Sequence, residues 1–64
     1  MNSREKLLKF GIEVFNGELD KFSNWLLKPN NYLGDRIPNE LLETDEGIRE
    51  VRNCLNRIEY GNFS

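Results

Sequence analysis

Few side chains in this sequence could do chemistry, and their types are more decisive than their spacing. The 64 residues contain no histidine, so the commonest neutral-pH proton shuttle and metal ligand is missing. The single cysteine, Cys54, can neither close an internal disulfide nor supply a paired-cysteine zinc knuckle. Five carboxylates, Asp35, Glu40, Glu43, Asp45 and Glu46, stand close enough in sequence for an acid/base pair to be sought among them. No nucleophile with an adjoining base accompanies them. Asp45 and Glu46 also fall where a helix start favours negative charge. The inventory therefore predicts no enzyme, no metal site and no cofactor, and Cys54 reads as a small core residue and not a reactive thiol.

Size and charge narrow the remaining classes. A chain of 7.6 kDa forms one small domain, near the lower end of what folds without a metal or disulfides. Too few residues remain after a core is built to wall a deep substrate cleft. The net charge is −2, from 9 basic and 11 acidic side chains. It is uneven, with +1 over residues 1–32 and −3 over residues 33–64. Phosphate backbones are held by clustered Lys and Arg, and neither half has such a block, so nucleic-acid binding is not expected from this chain alone. No apolar run approaches the roughly 20 residues that span a bilayer, and the polar start is unlike a signal segment. The expectation is a cytoplasmic protein that binds no membrane.

Helical periodicity supplies the elements that must position any site. The first helix is expected over residues 3–15, with Asn2 and Glu5 at capping-box-like spacing. Its apolar residues form two groups, Leu7/Phe10/Val14 and Leu8/Ile12/Phe15, spanning about 200° of the helix wheel, wider than one core face needs. Either both groups enter the protein's own core or one meets a second chain, which would make a homo-oligomer through the first helix. Asn16-Gly17 ends this helix. A second follows over residues 18–27, with Leu19, Phe22 and Leu26 on one stripe, Trp25 beside them on the core side, and Pro29 as the stop. Residues 28–38 form a turn-rich loop whose Tyr32, Leu33 and Ile37 are expected to pin it to the core. Pro38 opens a short helical turn over residues 38–42. Thr44 caps the last helix, residues 45–60, whose Ile48, Val51, Leu55 and Ile58 make a single stripe with Cys54 at its border. Gly61 closes it. Period-2 alternation is confined to residues 12–15, so the expected fold is all-α: a small single domain over residues 1–64, of three main helices plus one short helical turn.

An ordered set of residues then carries a resemblance. Val14-Phe15-Asn16-Gly17, Trp25-Leu26, Pro29-Asn30, Leu33-Gly34, Pro38, Leu41-Leu42, Thr44, Gly47, Val51, Leu55, Arg57-Ile58 and Gly61 together resemble the Xre/MbcA/ParS-like toxin-binding domain, over about residues 12–64. That domain is the C-terminal module of bacterial antitoxins paired with RES-domain toxins. The resemblance implies a non-catalytic module that binds a toxin acting on NAD and obstructs the entrance to its active site, largely with the module's C-terminal part. Family members usually carry an upstream helical domain that dimerises and often binds operator DNA. Only about a dozen residues precede the match here, so autorepression is not expected of this chain. Met1 and an ending on the family's usual tail give the expectation of a complete product. Relatives often have a small residue where Asp35 sits and a hydroxyl residue where Ile37 sits.

Within that frame, Arg49, Arg52, Asn56, Tyr60, Asn62 and Phe63 are the expected partner-binding residues. They are polar or aromatic, near the C-terminus, and not needed for the apolar stripe. Arg and aromatic side chains are enriched at interface hot spots. A pocket that holds an anionic cofactor is electropositive, so the acidic balance of residues 33–64 would favour encounter. The rival is a homo-oligomeric interaction or adaptor domain without a toxin. A transcription regulator is disfavoured because Glu46, Glu50 and Glu59 offset Arg49, Arg52 and Arg57 on the last helix.

Overall fold

The structure, a computed structural model, describes residues 3–61. The chain folds as α1 (Ser3–Val14), α2 (Leu19–Leu26), a 3-10 turn (Asn31–Leu33), α3 (Pro38–Leu41) and α4 (Asp45–Tyr60). No strand forms among the described residues, and a lone antiparallel bridge joins Asn30 to Arg36. This is the expected all-α architecture of three main helices and one short one.

Each boundary has a local chemical cause. α1 stops at Val14 because Asn16 and Gly17 both take left-handed backbone, at φ 57° and 79°. Their amides return to the open carbonyls of Glu13 (3.0 Å) and Ile12 (2.8 Å), the paired bonds of a Schellman cap. Asn2, the expected partner of Glu5 in an N-terminal cap, lies outside the described residues. Pro38 occupies the first turn of α3, where its missing N–H leaves no gap. Thr44 Oγ1 accepts from the Gly47 amide at 3.0 Å to start α4, and Gly61 at φ 52° donates to Arg57 O to finish it.

The 28–38 segment is more ordered than a plain loop. Asn30 Oδ1 accepts from Tyr32 N (2.9 Å), while Asn30 O accepts from Leu33 N and Asp35 N. Gly34 and Asp35 are both left-handed, at φ 67° and 64°. Asp tolerates that region better than most side chains, so Asp35 holds the turn without a second glycine. The turn aims Leu33 into the core and Tyr32 outward. Tyr32 is 66% exposed, against the expectation that it pins the segment; Leu33 alone is fully committed to that task, with Ile37 half-buried.

The core gathers Leu7 and Val14 from α1, Phe22 and Leu26 from α2, Leu33, Leu42, and Ile48, Val51, Cys54 and Leu55 from α4. Leu8, Phe10, Ile12 and Phe15 pack against it in part, so both apolar groups of α1 reach the protein's own core. Trp25 is also half-buried, stacked on Phe22 and tilted against Phe15 at centroid distances of 6.3 and 6.0 Å. Two expected core residues are exposed instead. Leu19 is the first residue of α2, and Ile58 (42% exposed) sits one turn beyond Leu55; the helical stripe continues there but the facing elements do not.

Two glycines permit this closeness. A methyl at Gly47 would fall on the carbonyl of Leu41, where α3 meets α4. A methyl at Gly11 would enter the ring of buried Phe22, where α1 meets α2.

Cys54 is buried, and its thiol donates to Asn30 Oδ1 at 3.7 Å. Burial pushes the thiol pKa up, and the nearby Arg57 charge only opposes this.

Two predictions follow from this packing. Gly47→Ala should destabilise the fold by about 3 kcal/mol, because backbone must move, whereas Thr44→Ala should cost about 1 kcal/mol for a lost cap. Urea unfolding followed by circular dichroism measures both, and equal small losses would contradict the close α3–α4 approach. At neutral pH Cys54 should alkylate with iodoacetamide far more slowly in the folded chain than in urea, the folded rate rising only as pH passes above the ordinary thiol range.

Candidate functional site

With one side of α4 committed to the core, its opposite side decides what the molecule can present. Arg49, Arg52, Asn56 and Tyr60 recur at steps of three and four, and at 100° per residue they fall within an outward sector about 80° wide. Arg49 is exposed, Arg52 and Asn56 are half-buried, and Tyr60 is 72% exposed. The structure thus brings four of the six expected partner-binding residues onto one strip; Asn62 and Phe63 lie outside the described residues. Arg49, Asn56 and Tyr60 have no hydrogen-bond or ion-pair partner among the described residues.

The strip has two flanks. Towards α1, the Arg52 guanidinium lies over the Phe10 ring, 5.5 Å from its centroid. Ser3, Asp45, Ile48, Arg49 and Arg52 line a shallow depression beside it, of about 220 Å³. Towards the 3-10 turn, the Arg57 guanidinium lies over Tyr32 at 4.7 Å. There Tyr32, Leu33, Glu50, Asn53, Cys54 and Arg57 line a second depression of about 180 Å³. Both volumes fall below the roughly 300–1,000 Å³ typical of small-molecule sites, so neither depression is built to enclose a cofactor.

Arg36 differs from the other arginines on this side. Its Nε donates to Leu33 O at 2.6 Å and its Nη2 to Glu50 Oε1 at 2.5 Å, so it clamps the turn to α4. Tyr32 and Arg57 are not among the partner-binding residues expected from the sequence. They lie 25 positions apart, and no local spacing rule pairs them; an aromatic residue beside the turn-specifying Asn30 was the only hint.

The carboxylates Asp35, Glu40, Glu43, Asp45 and Glu46 are all exposed. No group of three or more acidic, Cys or His side chains is arranged to hold a metal among the described residues. No described helix is long and apolar enough to cross a membrane.

Comparison with known proteins agrees with the sequence pattern. The family model described as the antitoxin Xre/MbcA/ParS C-terminal toxin-binding domain matches residues 11–61. A protein of Photorhabdus laumondii subsp. laumondii described as "Antitoxin Xre" is 34% identical over 56 residues, 88% of this chain and 38% of the relative. A Yersinia enterocolitica protein of the same description is 36% identical over 59 residues, 92% of this chain and 40% of the relative. The chain thus spans about two fifths of the length of the curated relatives it matches. No solved structure matches significantly. The match over residues 11–61 covers every element from the last turns of α1 to the cap of α4, and the chain belongs to the Xre/MbcA/ParS C-terminal toxin-binding domain family.

Proposed function

We propose that this chain is an antitoxin module that neutralises a RES-domain, NAD-targeting toxin in the bacterial cytoplasm by covering the entrance of its active site. The observation that carries the reading is the toxin-binding family match over residues 11–61. The surface supplies a means. The last turn of α4 runs past the core and leaves Ile58 uncovered on the inner side and Tyr60 uncovered in line with the Arg49, Arg52 and Asn56 strip. A projecting helix end with an aromatic tip suits insertion at a pocket mouth, where a buried aromatic anchor contributes most of the contact energy. Neutralisation by this route needs no catalytic group, because occupying the entrance denies NAD its path.

A second reading, self-association through α1, draws on one observation: Leu8, Phe10, Ile12 and Phe15 each keep part of their surface uncovered. Light scattering separates the two, and a monomer at tens of micromolar contradicts self-association.

Co-expression with a RES-domain toxin tests the main reading. The expected result is a co-purifying complex in which NAD consumption by the toxin falls. A toxin that remains active and elutes alone contradicts it. Tyr60→Ala should leave folding stability within about 0.5 kcal/mol, since the side chain is exposed, while weakening the complex by about tenfold.

A further inference from the structure

The arginines around α4 fall into two kinds, and the division points to the chemistry of the partner. Arg36 is internally satisfied by Glu50 and the Leu33 carbonyl. Arg52 and Arg57 have no carboxylate or carbonyl partner among the described residues. Each instead lies over an aromatic ring contributed by a different element, Phe10 of α1 and Tyr32 of the 3-10 turn, within the roughly 6 Å at which a guanidinium and a ring attract.

A guanidinium over a ring is attracted to it by its charge, without a hydrogen-bond acceptor being supplied to its N–H groups. A ring takes up none of the five N–H donors as a carboxylate or carbonyl would, so two of them remain available for a bidentate pair of hydrogen bonds. A side chain already drawn to a ring also loses less freedom when it forms them. The two stacks bracket the outward strip, one on each flank of α4. Tyr32, which the 3-10 turn directs outward, thereby offers its ring to Arg57.

We propose that Arg52 on Phe10 and Arg57 on Tyr32 are paired anchors for carboxylates on the RES-domain toxin, so that the contact extends from the end of α4 across to the 30–36 turn. This rests on the toxin-binding reading above and adds to it that the toxin's docking surface is acidic where it meets the flanks of α4. Attraction of this kind is local. It operates although the chain as a whole carries a net charge of −2, because interface pairing is decided by the groups brought within a few ångströms.

The test is titration of the RES-domain toxin with the full chain by calorimetry, at low and high NaCl. Arg52→Gln and Arg57→Gln should each weaken binding by about tenfold or more, and the wild-type affinity should fall with salt. Arg→Lys at either position should restore only part of the loss, because an ammonium cannot form the bidentate pair. Phe10→Leu and Tyr32→Leu keep both charges and should weaken binding less, by a faster dissociation. Lys21→Gln on α2, removed from the strip and paired with Glu18, is the control for a mere change in net charge. Circular dichroism checks that each variant folds.

If both Gln variants bind within twofold of wild type, the proposal is overturned while toxin binding stands. If Lys restores full affinity, the stacked bidentate geometry is overturned. If the wild-type chain does not bind the toxin, or binds duplex DNA better, the reading on which the proposal rests is contradicted and the proposal with it.

Discussion

Joint burial of Leu7, Val51 and Leu55 in one core is the constraint from which the rest of the molecule follows. These three side chains are closed to solvent, and they fix α4 beside α1. In a chain of 64 residues the margin of stability is a few kcal/mol, while each fully buried aliphatic side chain contributes roughly 1.5–3 kcal/mol. The loss of one such contact is therefore comparable with the whole margin. Gly47 and Gly11 belong to the same constraint, since they let α3 and α2 approach closely enough to seal the core around those side chains.

Fixing α4 in this way makes it a helix of two roles. Its inner side carries Ile48, Val51, Cys54 and Leu55, and its outer side carries side chains that the fold does not need. The outer side is not a uniform polar surface. It holds two arginines propped on rings, a third without partners, and a tyrosine at the tip, while a fourth arginine, Arg36, ties down the turn that supplies one of those rings. Rings beside long flexible side chains lower the ordering cost that a binding surface must meet. Chemistry of the catalytic kind has no comparable support: Asp35, Glu40, Glu43, Asp45 and Glu46 are exposed and spread over the turns and the starts of α3 and α4, and the one thiol is buried with its pKa raised.

Much of this is legible in the sequence, and for local reasons. Thr44, Pro38, Gly61 and Asn16-Gly17 act on the backbone within a few residues, so the helix ends they mark could be read directly. The stripe through Ile48, Val51 and Leu55 follows from helical period alone. Ile58 and Leu19 were misplaced because period says which side of a helix a residue is on, not whether another element is there to cover it. Tyr32 was misplaced for a related reason: an apolar residue in a loop is expected inside, but a 3-10 turn has room for only one of two neighbours to face the core, and Leu33 takes that place. The pairings Phe10–Arg52 and Tyr32–Arg57 cross the fold and were invisible to any local rule. Arg49, Arg52, Asn56 and Tyr60 share a face by helical spacing, and the family pattern drew attention to that end of the chain.

The central claim is that the outer side of α4, bordered by Tyr32, is held open for another protein to occupy. Amide chemical-shift mapping of the isotope-labelled chain, free and bound to a RES-domain toxin, measures this most directly. The account predicts that the largest changes fall on residues 49–60 and around Tyr32, with α2 little altered. Changes concentrated on Leu19 and Leu27 of the α2 side, with α4 undisturbed, would contradict it.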